Sequence, residues 1–329
     1  MNSDAQHWPL LWADGLKWAK HEAWFHELVQ CQHDPTAWQV AFCQAGDGTR
    51  NPDMEAIRAL RKLVWCQTER VIDCLLQGAR VPYDSLQPYC LADPAPRTER
   101  VWATERVWAR TLLEDDSFLA CEVRVLNMDM LQVARSLVEQ GSAVVVLNMA
   151  SASHPGGGYR QGSGAQEENF HRRSDLARFT VWQTRENYPI PKDACLLSRG
   201  VTIFRGPEDE GYPFQAPCQV SVVSCAAVRK PVLTSERQYT SWRAIEAMRT
   251  KIAPILDAAV RAECNAVVLS AFGCGAFGNP PEIVAKLFRM ELARSQLRLA
   301  VFCIRDDHNA SHSHNPRGNV RPFEEVFGL

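Results

Sequence analysis

An apolar run, Ala143-Val144-Val145-Val146-Leu147, leads through Asn148 and Pro155 into three consecutive glycines, Gly156, Gly157 and Gly158. A continuous apolar run of this length reads as a central strand covered on both faces. After a seven-residue spacer, Gln166-Glu167-Glu168 leads into a polar, helix-compatible run, Asn169 to Glu186. Strand, glycine loop and helix in this order restrict the chain to an α/β arrangement. Glycines carry no side chain to hold a ligand off, so backbone N–H groups can approach a phosphate or a sugar closely. Two adjacent carboxylates at a helix start are what glycosidic chemistry uses as acid, base or ribose clamp. Each feature has a plainer reading. A glycine triplet is often only a flexible turn, and a Glu-Glu pair at a helix start is a dipole-favoured, solvated first turn. Their combination is the specific signal.

The chain around this stretch alternates strand-like and helical segments. Met54 to Gly78 has apolar residues near the helical period, at Ile57, Leu60, Leu63, Val64, Val71, Leu75 and Leu76. Residues 81–100 are proline-rich and read as irregular. Cys121 to Asn127 alternates like a strand, and Asp129 to Gln140 is helical. With Ala143–Leu147 they form a strand–helix–strand unit, most naturally parallel and right-handed. Further strands are expected at 201–205, 219–228, 266–270 and 297–304, and further helices at 235–262 and 282–294. Phe323 to Phe327 closes the chain. No internal repeat is evident.

Composition narrows the function classes. With 329 residues and 46% hydrophobic content, the chain can bury a large core. A formal net charge of −2 gives no global basic field to draw in nucleic acid. No run of about 18 apolar residues suggests a membrane span, and no secretory signal is visible. The twelve cysteines follow no framework spacing. Cys66, Cys74, Cys225, Cys264 and Cys303 read as small buried residues, and a reducing, intracellular compartment of cytoplasmic type is expected.

Residues 1–53 are rich in tryptophan, with Trp8, Trp12, Trp18, Trp24 and Trp38. They read as aromatic anchors that pin a helical extension, including a helix over 16–29, onto the main body. Cys31, His33 and Cys43 match no common zinc spacing. His308, His312 and His314 sit among Asn and Ser and read as a loop rather than a metal site. No metal or cofactor is expected.

A second loop, Gly273-Cys274-Gly275-Ala276-Phe277-Gly278, lies between the strand at 266–270 and the helix at 282–294, where α/β sheets place ligands. It lacks the Lys-Ser/Thr ending of a phosphate-binding P-loop. Cys274 reads as a small loop residue rather than a nucleophile, and His154 as a hydrogen-bonding wall. Arg172 and Arg173 read as surface pairing along the helix.

Gly156-Gly157-Gly158, the spacer and Gln166-Glu167-Glu168 resemble the signature of poly(ADP-ribose) glycohydrolases. The flanking Val144–Ser151 and Arg172-Arg173-Ser174-Asp175-Leu176 resemble the microbial-type branch, whose catalytic domain is a macrodomain. The resemblance covers roughly residue 55 to the end. It implies a three-layer α/β macrodomain-like mixed sheet over residues 116–329, preceded by an N-terminal helical extension over 1–115. It further implies ADP-ribose as ligand, bound by Asn148, Gly156, Gly157, Gly158, Gln166 and the loop Gly273 to Gly278, with Phe277 against the distal ribose or the adenosine. Glu168 is implied as general acid and Glu167 as the residue that fixes the ribose. Spacing alone does not rank the two, because adjacent residues on a helix point about 100° apart. The spacer has Gly164 where the family has a Gln two residues before Gln166, which bears on how the polymer end is gripped. The expected partners are poly(ADP-ribose) or ADP-ribosylated proteins, with no membrane and no sequence-specific nucleic acid. Removal of single ADP-ribose units from protein, and non-catalytic ADP-ribose reading, are the alternatives. A reader needs no acid, so the Glu167–Glu168 pair argues against the second.

Overall fold

The computed structural model describes residues 33–46, 52–77, 98–103, 119–306 and 317–329. The tryptophans at 8, 12, 18 and 24, the helix over 16–29, Cys31 and the histidines at 308, 312 and 314 lie outside the described residues. In chain order the main elements are α1 Pro35–Gln44, α2 Met54–Leu76, β1 Thr98–Trp102, β2 Glu122–Leu126, α3 Met130–Glu139, β3 Val144–Met149 and α4 Gln166–Arg173. They continue with β4 Ala194–Arg205, β5 Phe214–Cys225, α5 Trp242–Arg261, β6 Ala266–Leu269, α6 Pro281–Leu292, β7 Leu299–Cys303 and α7 Val320–Phe327. Two compact units emerge. One comprises Met1–Ala95, Gly156–Arg178 and Thr202–Cys218, and the other Pro96–Pro155, Phe179–Val201 and Gln219–Leu329.

The second unit carries a mixed sheet of seven strands in the order β1-β4-β5-β3-β6-β7-β2. β5, β3, β6, β7 and β2 pair in parallel, and β1 runs antiparallel to β4. The apolar run of β3 is buried from Val144 to Leu147, as a strand covered on both faces requires. Val145 and Leu147 share one core with Ile252 and Ile255 of α5, Phe288 of α6 and Phe323 of α7. Strand residues alternate in direction, and α3 packs against β3, β6 and β7. Asp129 caps α3 by accepting from Leu131 N at 3.1 Å and Gln132 N at 2.9 Å.

Three sequence expectations change here. Of the stretch 81–100 read as irregular, 81–97 lie outside the described residues and 98–100 open the edge strand Thr98–Trp102, although only Val101 of its five residues is buried. The helix expected from 235 begins at Trp242, because Leu233 and Tyr239 bridge as a short antiparallel pair and Ser241 supplies the cap. The helix expected over 169–186 ends at Arg173. Ser174 is extended and bridges Ile203, while the Asp175 carboxylate accepts from Thr202 N at 2.6 Å.

The first unit is organised by α1 and α2. Asp34 and Asp53 cap them. Ile57, Leu60 and Val64 of α2 pack with Trp38, Phe42 and Tyr212, and Ile72 and Leu75 pack with Phe204. Trp38 is fully buried, stacks on Phe42 at 4.6 Å and donates its indole N–H to Leu60 O. It is thus an anchor of the helical extension. Of the cysteines read as buried, Cys225 and Cys303 are, while Cys66, Cys74 and Cys264 are half-buried. Among the described residues no helix is long and apolar enough to cross a membrane, and no cluster of three His, Cys, Asp or Glu could hold a metal.

Candidate active site

The glycine triplet and the glutamate pair meet within the first unit. Gly156 and Gly157 take φ of +76° and +56°, in the left-handed region. The backbone therefore turns back toward the start of α4, whose cap position, Ala165, has no side-chain cap bond. The glutamates fold onto the loop instead. Gly156 N donates to Glu167 Oε1 at 3.0 Å, and Gly158 N donates to Glu168 Oε1 at 2.9 Å. Both glutamates are buried, so the solvated first-turn reading fails for them. Glu168 Oε2 is buried and has no hydrogen-bond partner among the described residues. A Cβ on Gly157 would collide with Glu168 Oε1 and stand 3.0 Å from Glu167 Oε2. Only glycine fits between the two carboxylates.

The surroundings of this pair are packed and polar. Tyr159 is buried beside the His171 ring, at 5.2 Å, and its hydroxyl donates to Glu69 at 2.8 Å. Gln166 is half-buried at the start of α4. Arg172 and Arg173 are fully buried, which corrects the expectation of surface pairing. Their guanidinium groups serve backbone carbonyls: Arg172 bonds Arg61 O and Ser163 O, and Arg173 bonds Arg205 O. A guanidinium carries five donors, enough to satisfy several interior carbonyls at once.

Two buried histidines of this unit set its acid sensitivity. Burial, reinforced by the charge of Arg205, lowers His33 to about 3. Burial, with Arg172 adding to it, lowers His171 to about 4. Protons then bind the unfolded chain first, so the stability these groups contribute is present above about 6.5 and is lost as pH falls toward 3–4. Asp175 runs the other way. Burial raises it to about 6, so its penalty at neutral pH is relieved on acidification. Going from pH 7 to pH 5, each histidine costs about 2 kcal/mol and Asp175 returns about 1 kcal/mol. Thermal unfolding is therefore expected at a lower temperature at pH 5 than at pH 7. His33→Asn is expected to reduce that difference, which calorimetry at the two pH values checks.

The remaining expected residues lie in the second unit. Asn148, at the end of β3, is fully buried. Its amide donates to Ser224 Oγ at 3.0 Å, and its Oδ1 has no partner among the described residues. The loop from Gly273 to Gly278 is held by a residue that sequence reasoning passed over. The buried Asn279 amide donates to Gly273 O at 2.9 Å and Val228 O at 2.7 Å, while its Oδ1 accepts from Tyr239 at 2.8 Å. The only sequence signal for it was its place ahead of Pro280-Pro281 at the loop exit. Gly273 has φ of +73°, and a Cβ there would stand 2.5 Å from the Ala227 methyl group. Gly275, Phe277 and Gly278 are half-buried and Ala276 is exposed. Cys274 is fully buried and burial drives its thiol far above its ordinary value, so the loop can offer a ligand only its backbone there. His154 is exposed and bonded within its own loop, to Ser153 and Ser151.

Residues 92–206 match the family model of the microbial-type PARG catalytic domain. The PARG match contains Asn148, the glycine triplet and the whole of α4, and stops before the second loop. Among solved structures, the chain resembles poly(ADP-ribose) glycohydrolase from Thermomonospora curvata bound to the inhibitor ADP-HPD. The TM-score is 0.60 at 26% identity, covering 80% of this chain and 98% of that one. It also resembles the Deinococcus radiodurans enzyme in complex with ADP-ribose, with a TM-score of 0.56 at 26% identity, covering 76% of this chain and 98% of that one. No curated protein matches the chain.

Proposed function

We infer that this chain is a poly(ADP-ribose) glycohydrolase that hydrolyses the ribose–ribose O-glycosidic bond and releases ADP-ribose. One observation carries the reading: a buried glutamate pair is hydrogen-bonded to a glycine loop, and the second glutamate keeps one buried oxygen without a partner. An oxygen in that state suits a proton that is to be given away. Glu168 is the general acid. It donates its proton to the leaving ribose oxygen as the anomeric C–O bond breaks through an oxocarbenium-like transition state. As carboxylate it then takes a proton from the attacking water, and the cycle closes. Glu167 holds the ribose through its hydroxyls. Gly158 N–H fixes the Glu168 carboxyl group through Oε1 and leaves Oε2 for the proton. The backbone of residues 273–278 is assigned the diphosphate, with Asn279 holding that loop in shape. Asn148 and Gln166 are assigned to the ADP-ribose as well.

The test compares two substrates at equal ADP-ribose content, poly(ADP-ribose) and a protein carrying single ADP-ribose units. Release of ADP-ribose from the polymer, with slow or no release from the mono-modified protein, is expected. The reverse preference would replace this reading with that of a mono-ADP-ribosyl-protein hydrolase.

A further inference from the structure

Arg172 lies one turn after Glu168 on α4 and is fully buried. Its Nε donates to Arg61 O at 3.2 Å and its Nη2 donates to Ser163 O. Its Nη1 is buried without a partner among the described residues. The carboxylate that answers this charge is Glu208, which binds Arg61 Nε at 2.8 Å and Nη2 at 2.9 Å and accepts from Tyr212 at 2.6 Å. Burial pushes Glu208 up, but Arg61, with help from Arg172, outweighs it and holds the carboxyl group below its ordinary range. Burying a guanidinium is costly unless its bonds are well made. The cost calls for a role beyond packing.

The bonds of Arg172 close a ring through the acid. Gly158 N donates to Glu168 Oε1 at 2.9 Å, and Ser163 N donates to Gly158 O at 3.1 Å. Ser163 O accepts from Arg172, and one turn of α4 leads from Arg172 back to Glu168. The link to Arg61 O anchors the ring to α2. We propose that Arg172 is the positioning residue of the acid, fixing the Glu168 carboxyl group by locking Ser163, and through it Gly158, to α4. Resting on the reading of Glu168 as acid, the proposal adds a determinant outside the glycine and glutamate motif. A lysine at 172 would keep the charge but lose the planar fork that reaches two carbonyls at once.

The test is Arg172→Lys in the full chain, with Arg172→Met beside it. Arg172→Lys is expected to stay folded and to bind ADP-ribose within about threefold of the wild-type affinity, while kcat on poly(ADP-ribose) falls by about 10²-fold. Amide exchange is expected to quicken at Gly158 and Ser163 and to stay unchanged along α2. Wild-type kcat in a folded Arg172→Lys protein would overturn the proposal. So would a loss of kcat in both variants that merely tracks the folded fraction. If the wild type releases no ADP-ribose yet exchange at Gly158 and Ser163 still quickens in Arg172→Lys, the reaction assigned above fails and the ring stands.

Discussion

Glu168→Gln is expected to lower the rate of ADP-ribose release by about 10²–10⁴-fold, the range that loss of a general acid produces. The fold should survive. Gln is isosteric with Glu, and its carbonyl oxygen can still accept from Gly158 N, which the wild-type Oε1 does at 2.9 Å. What it lacks is the proton on Oε2, the oxygen with no partner of its own. Affinity for ADP-ribose should change little, because the lost interaction is made in the transition state. Glu167→Gln is expected to act mainly on substrate affinity, since that carboxylate is assigned to ribose hydroxyls. A Glu168→Gln enzyme with wild-type kcat would remove Glu168 from the chemistry.

Gly157→Ala is expected to be the most damaging change that adds a single carbon. Two effects combine. An alanine at φ of +56° costs about 1–2 kcal/mol of backbone strain. Its Cβ also lands against Glu168 Oε1 and 3.0 Å from Glu167 Oε2. Carboxylate tips move more cheaply than backbone, so the protein should fold, with its acid displaced. A displacement of about 1 Å is enough to cost about 10²-fold in rate. Gly200→Ala is the control. Gly200 has φ of +76° with nothing within 4 Å of an added Cβ. It should show the same strain in a melting experiment and keep its activity. Equal activity loss in both variants would mean that strain, rather than the carboxylates, sets the rate.

Much of this was legible in the sequence because the physical signals were local. The β3 run, the helical period of α2 and the cap and apolar face of α3 each lie within one element. The glycine triplet and glutamate pair sit close in sequence and meet in space through backbone N–H groups that no side-chain pattern could alter. What escaped was non-local. β1, Thr-Glu-Arg-Val-Trp, is an edge strand that buries one residue and so shows little of an apolar pattern. The end of α4 is decided by Thr202, far along the chain, which pairs with Asp175. Arg172 and Arg173 look like surface charges because the carbonyls that bury them, at positions 61, 163 and 205, lie outside their own helix, although Arg173 also donates to Asn169 Oδ1 one turn before it. Asn279 escaped for the same reason, since its partners are Val228, Tyr239 and Gly273.

The measurement that bears most directly on the central claim is incubation of the wild-type chain with poly(ADP-ribose), with released ADP-ribose and bound ADP-ribose both recorded. The account predicts release of ADP-ribose together with saturable binding. Saturable binding with no release, from the polymer or from mono-modified protein, would contradict it and leave the buried glutamates serving an ADP-ribose reader.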